Sequence, residues 1–245
     1  MVAQFGNCAY SYKNSKEKPV FVPSDEGRKL GKQLKLKVES RFNPPWYFFH
    51  LQKGGHVAAL HIHRKHRYFA RVDIENFFYT VSRNRIARCL QKLGIGGGER
   101  FAKWSTIKNP YGEPTYSLPY GFVQSALLAS LALAHSPVGT YLHELSNTVA
   151  VSVFMDDIAI SGNNRRILER AYRKLIRNLA ASPFKINVRK SQAPGLEVEL
   201  FNCHMERLKT LVTEERRAVF YSTPRSEFGV AAFAAYCRSV QKGNS

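Results

Sequence analysis

Two adjacent aspartates, Asp156 and Asp157, interrupt an apolar stretch: Val149–Met155 precedes them and Ile158–Gly162 follows. Short runs rich in Val and Ile read as strands. Two strands joined at a pair of carboxylates predict a hairpin with negative charge at its tip. Unit charges about 4 Å apart repel by roughly 4 kcal/mol at an effective dielectric near 20. An apolar frame holds two aspartates together when something cationic joins them, and a divalent metal is the usual solution. The competing reading is an exposed turn, where Asp is common.

A third carboxylate weighs against the plain turn. Residues 67–74 read as a strand ending at Asp73, followed by Glu75-Asn76-Phe77-Phe78. A helix is expected from Ser82 to Leu93. Ser82 can cap it, Ile86, Cys89, Leu90 and Leu93 form its apolar stripe, and Gly94 stops it. Further helices are expected over 24–40, 122–135, 164–179 and 225–241. Trp46–Leu51 reads equally as a strand or as the start of a buried helix. Residues 94–98 and 109–114 read as loops.

His56, His61, His63 and His66 crowd a basic stretch that also holds Arg64, Lys65 and Arg67. Four histidines in eleven residues can ligate zinc. No cysteine or carboxylate stands nearby in sequence to complete such a site, so a polar, basic strand facing phosphate is the preferred reading.

The chain has 245 residues, 37 Lys plus Arg against 18 Asp plus Glu, and a formal charge of +19. That self-repulsion calls for a polyanionic partner, and nucleic acid fits better than membrane. No run approaches the roughly 18 apolar residues of a membrane span. Met1–Tyr12 lacks the pattern of a secretion signal. Cys8, Cys89, Cys203 and Cys237 form no C-x-x-C pair, which argues against a zinc ribbon and a disulfide framework and fits a reducing cytoplasm.

The strand-end Asp73 with its two aromatics and helix resembles the first palm motif of reverse transcriptases. Phe154-Met155-Asp156-Asp157 resembles their Tyr-x-Asp-Asp motif. Between them, Leu118-Pro119-Tyr120-Gly121-Phe122-Val123-Gln124-Ser125-Ala126 resembles Leu-Pro-Gln-Gly-x-x-x-Ser-Pro, departing at Tyr120 and Ala126. Phe184–Ser191 resembles the fourth motif, in which a lysine, here Lys190, follows a short strand. Leu200–Val212 stands where the primer-grip hairpin would be. Around Gly121–Ser125 the chain looks most like the defence-associated, formerly "unknown group", bacterial enzymes.

The resemblance implies an α/β (α+β) palm of ferredoxin-like βαββαβ topology with small fingers and an abbreviated thumb. The expected segments are 1–67 (N-terminal extension and fingers), 68–212 (palm, with an insertion at about 94–117) and 213–245 (short thumb). It implies an RNA-directed DNA polymerase working by two-metal catalysis with a dedicated non-coding RNA in antiviral defence. Asp73, Asp156, Asp157 and the carbonyl of Ile74 are the expected ligands of two Mg2+ ions, with Mn2+ as a substitute. Lys190 is expected to protonate pyrophosphate or pair with it. Arg64, Lys65 and Arg67 are expected to hold the triphosphate or the template backbone. Phe78 would exclude a 2′-hydroxyl, and Tyr120, Gly121 and Gln124 complete the expected nucleotide site. The expected partners are RNA, the DNA product, deoxynucleoside triphosphates, and a homo-oligomer or partner protein, in the cytoplasm and away from membranes. Two alternatives stand beside this: a template-independent or protein-primed polymerase of the same family, and a non-enzymatic RNA-binding subunit with a palm fold.

Overall fold

The computed structural model describes residues 6–245; the first five, part of the Met1–Tyr12 stretch, lie outside the described residues. β1 (Cys8–Lys13) and β2 (Pro19–Pro23) precede α1 (Asp25–Glu39) and α2 (Gly55–His63). Next come β3 (Tyr68–Asp73), α3 (Arg83–Lys92), α4 (Gly98–Trp104), β4 (Ile107–Lys108) and β5 (Tyr116–Ser117). α5 (Ser125–Ala134) and α6 (Pro137–Leu145) lead to β6 (Ala150–Phe154), β7 (Asp157–Gly162) and α7 (Arg165–Ala180). β8 (Gln192–Gly195), β9 (Glu197–Leu200), β10 (Cys203–Glu206), β11 (Lys209–Val212), α8 (Glu214–Tyr221) and α9 (Glu227–Gln241) follow.

The chain forms two compact units. One takes the residues up to Pro45 together with Ile74–Thr140 and Asn178–Lys185; the other takes Trp46–Asp73, Tyr141–Arg177 and Ile186–Ser245.

The second unit carries a four-stranded sheet of order β6-β7-β3-β8 with every neighbour antiparallel. In chain order these strands and the helices between them read β-α-β-β-α-β, so the sheet is ferredoxin-like. Successive side chains of a strand face opposite ways. Ala70, Val72, Val151, Val153, Ile158 and Ile160 therefore share one face, all of them buried. The other face carries Phe69, Arg71 and Asp73 beside Asp157, Ala159 and Ser161. Phe69 and Ala159 join Leu60 and residues of β9, β10, β11 and α9 in one core cluster.

Two readings are corrected in this unit. Residues 55–63 form α2 instead of a polar strand, because Val57, Ala59 and Leu60 sit at helical spacing and pack inward. Residues 184–191 form a bridge and a turn, not a strand; the N–H groups of Lys190 and Ser191 both donate to the carbonyl of Asn187 and curl the backbone. The undecided Trp46–Leu51 becomes a parallel bridge of Phe48 to Val153 followed by one 3-10 turn, Phe49–Leu51.

In the first unit the capping signals operate as expected. Ser24 accepts the Gly27 N–H at the start of α1. Ser82 accepts the Arg85 N–H at the start of α3, and Gly94, at φ +65°, follows its end. α5 is apolar all round, and Leu127, Leu128, Leu131 and Leu133 are buried. Each contributes about 1.5–3 kcal/mol by leaving water.

Candidate active site

The hairpin tip predicted from the doublet is present. Phe154 pairs with Asp157, so Met155 and Asp156 form a two-residue turn. Met155 takes a left-handed φ of +58°. That conformation costs a residue with a Cβ about 1–2 kcal/mol, and glycine is the usual occupant of such a turn position. A side chain far away in sequence holds the turn: Met155 N–H donates to His50 Nδ1 at 3.1 Å. Burial pulls the His50 pKa down to about 4, so its ring is neutral and can accept.

β3 and β7 are the central strands, and their register sets Asp73 directly opposite Asp157. Asp73 is 3 % exposed. Its N–H donates to Ser191 Oγ at 3.1 Å, and its carbonyl accepts from the Asn187 N–H at 2.9 Å. The turn before β8 thus clamps the end of β3.

Burial pushes the Asp157 carboxyl up to about 6, the Asp156 and Asp73 charges push the same way, and Arg71 opposes them. Arg71 Nε donates to Asp157 Oδ1 at 2.8 Å, and its Nη1 donates to the Glu199 carbonyl at 2.9 Å. The sequence does not single out Arg71, His50, Asn187 or Ser191. Only Arg71 has a signal there, since it stands two residues before Asp73 and so on the same strand face.

Lys190 Nζ stands 4.0 Å from Asp73 Oδ2 on a side chain 58 % exposed, so solvent weakens the pair. Arg64, Lys65 and Arg67 are not gathered at the carboxylates. Arg67 precedes β3 while Asp73 ends it, about 20 Å away at strand rise. Arg64 is 5 % exposed and turned inward, donating to Thr210 Oγ1 and to the carbonyls of Val240 and Lys242. It is a packing residue and not a phosphate holder. Lys65 and Arg67 remain exposed.

The remaining expected residues lie in the other unit. The Phe78 ring meets Tyr120 edge-on at 4.6 Å and is buried. Gly121, at φ +106°, has no room for a side chain: a Cβ would come within 2.1 Å of the Phe21 carbonyl oxygen. Gln124 is buried and donates to Ser105 Oγ at 3.1 Å. Both have packing reasons to be what they are.

A cavity of about 530 Å³ opens beside the doublet. Asp156 and Asp157 line it together with the rings of His56, Phe154, Phe201 and Tyr236, and with Arg216. A larger cavity, about 970 Å³, lies between α3 and α4 and contains none of the expected site residues.

The donor chemistry of the carboxylates suits a hard cation that takes oxygen ligands, such as magnesium. Asp157 pairs with Arg71, and Asp73 with the more exposed Lys190. Among the described residues no three His, Cys, Asp or Glu side chains are gathered as a metal-holding set.

A ferredoxin-like sheet with aspartates at the ends of its central strands defines a protein of the polymerase-palm class. The chain belongs to the reverse transcriptase family: the profile described as "Reverse transcriptase (RNA-dependent DNA polymerase)" matches residues 11–205. Its fold is similar to that of a Candida albicans telomerase solved with the TWJ fragment of telomeric RNA, with TM-score 0.65, 10 % identity, 86 % of this chain and 47 % of that chain. It is also similar to a foamy viral protease-reverse transcriptase in complex with an RNA/DNA hybrid, with TM-score 0.54, 14 % identity, 96 % of this chain and 28 % of that chain. The chain thus spans less than half the length of either. No match is found among curated proteins.

Proposed function

We propose that the chain is an RNA-directed DNA polymerase that extends a 3′-hydroxyl with deoxynucleotides by two-metal catalysis, serving bacterial antiviral defence with a dedicated non-coding RNA. The observation that carries the polymerase reading is the register of Asp73 against Asp157, with Asp156 in the adjoining turn. Asp73, Asp156 and the Ile74 carbonyl would hold two magnesium ions, with manganese as a substitute and Asp157 in support. When bound, the ions supply an activated 3′-oxygen and neutralise the leaving pyrophosphate.

The rest falls to the chain's own groups. Lys190 offers a proton or a charge to pyrophosphate. The bulk of Phe78 selects against a 2′-hydroxyl. The rings beside the doublet offer stacking faces to a primer-end base, worth about 1–3 kcal/mol per base, and Arg216 offers a fork to its phosphate. The defence role rests on the resemblance around Gly121–Ser125.

A second reading, a protein-primed or template-independent enzyme of the same family, draws support from Tyr236. Its hydroxyl stands 3.3 Å from His56 Nε2 and its ring lines the cavity shared with Asp156. Burial raises its pKa, which opposes its use as a nucleophile.

Purified protein given magnesium, a primer annealed to RNA and four deoxynucleotides is expected to make DNA complementary to that RNA. Absence of incorporation sinks the polymerase reading. Untemplated product moves the choice to the second reading, and Tyr236→Phe then tests self-priming. Sequencing of co-purified RNA and phage plating with Asp156→Asn test the defence role.

A further inference from the structure

α7 has two opposed faces. Leu168, Ala171 and Leu175 are buried along one. Arg166, Arg170, Arg173 and Arg177 recur at spacings of four, three and four residues along the other, all of them exposed. At 100° per residue they form one narrow stripe, about 16 Å long.

Neighbours at these spacings have Cβ atoms about 5–6 Å apart, and each like-charged pair destabilises the helix by roughly 0.2–0.5 kcal/mol. Acidic relief is thin. Between 165 and 177 only Glu169 is acidic, and its carboxylate goes to Arg165, which lies off the stripe. Lys174, also off the stripe, faces Glu144. A surface that serves only solubility intersperses both signs. A row of arginines one turn apart instead offers planar forks that engage phosphates bidentately.

Two further basic residues stand near the start of α7. The Arg67 N–H donates to Asn163 Oδ1 at 3.1 Å, just before α7. The exposed Lys65 and Arg67 thereby join the end of the sheet where Arg165 and Arg166 begin. That end lies about 17 Å from the doublet, because β7 runs from Asp157 to Gly162. None of these residues lines the doublet cavity.

We infer that the α7 arginine stripe, extended by Lys65 and Arg67, is a docking surface for the phosphate backbone of an RNA strand, separate from the carboxylate site. An anionic membrane is the poorer partner, since basic amphipathic helices bind lipid by inserting their apolar face, and here that face is buried. The inference does not depend on the polymerase reading.

The test uses the full chain and fluorescein-labelled oligouridine, titrated between about 50 and 200 mM salt. Arg166→Glu/Arg170→Glu/Arg177→Glu is expected to weaken binding by about fivefold at 0.1 M salt for each phosphate that is no longer neutralised, with the log–log salt slope shallower by about 0.7 per phosphate. The matching Lys variant is expected to keep the wild-type salt slope, since the charge is unchanged, and to bind more weakly than wild type, since Lys lacks the bidentate fork. Extension of a short primer–template is expected to stay at the wild-type rate. If the triple variant does not fold by circular dichroism, Arg166→Gln/Arg177→Gln replaces it. Unchanged affinity and slope in a folded variant overturn the inference. So does an arginine-dependent capture by phosphatidylserine vesicles with oligouridine binding unaffected. Failure of wild-type extension with stripe-dependent RNA binding would sink the polymerase reading alone.

Discussion

Arg71 Nη2 lies 2.6 Å from Asp157 Oδ1, across the β3–β7 ladder and two residues before Asp73. One guanidinium thus partly neutralises the acidic end of the sheet and ties it to β9 through the Glu199 carbonyl. Arg71→Ala is expected to lower the free energy of unfolding by about 2 kcal/mol, because it leaves a largely buried carboxylate unpaired. Arg71→Lys is expected to recover part of that loss. Urea unfolding of the two variants decides it, and equal stability of Arg71→Ala and wild type would refute the role.

Asp73→Asn and Asp156→Asn are each expected to reduce DNA synthesis by about a thousandfold or more, about 4 kcal/mol of barrier, while RNA binding survives. Primer extension and a binding titration on the same preparations check this. Joint loss of binding and fold would mean that these carboxylates serve the architecture and not the chemistry.

The His50 ring holds the left-handed Met155 through its N–H. His50→Ala is expected to cost about 1 kcal/mol of stability and to speed amide exchange at Met155. Synthesis is expected to fall through kcat more than through KM, since the doublet loses its fixed turn while the rest of the cavity stays. Unchanged exchange at Met155 would rule this out.

His63 is fully buried, its Nδ1 2.7 Å from Ser161 Oγ and its Nε2 2.8 Å from Ser152 Oγ. Burial lowers its pKa to about 3, and that of His50 to about 4, from an ordinary 6.5. Above 6.5 both rings are neutral folded or unfolded, and stability is complete. As pH falls below that value the unfolded chain takes up protons that the folded chain refuses. Stability should then decline by up to about 1.4 kcal/mol per pH unit for each histidine. Urea midpoints between neutral pH and about pH 5 measure the net slope, which the raised Asp157 carboxyl, protonated in the folded chain near pH 6, partly offsets; the difference between wild type and His63→Gln isolates the His63 part.

Phe78→Val is expected to raise ribonucleotide use relative to deoxynucleotide by about tenfold, or about 1.4 kcal/mol of discrimination. Competition between the two triphosphates in primer extension reads the ratio.

Local signals suffice wherever one residue and its near neighbours carry the cause. Ser24 and Ser82 cap helices because their side chains reach the N–H three residues on. The hairpin at Asp156 is legible because apolar β-branched runs flank two charges. The three carboxylates are legible as a set because their motifs resemble those of a known family in the known order. α2 is not, because its histidines mask the helical spacing of Val57 and Leu60, which face the core. Motif order puts Lys65 and Arg67 at the catalytic site, whereas the length of β3 puts them at the other end of the sheet.

Neighbours along the chain and simple counting account for the hairpin pattern, the helix starts at Ser24 and Ser82 and the excess of positive charge, and motif resemblance accounts for the acidic trio. Tertiary structure alone decided that Asp73 faces Asp157, that Arg71 neutralises it, that His50 holds the turn and that Arg64 is turned inward. The physical reason is separation along the chain. His50 and Met155 are more than a hundred residues apart, and a hydrogen bond of about 3 Å between them depends on register and burial, which no local pattern encodes.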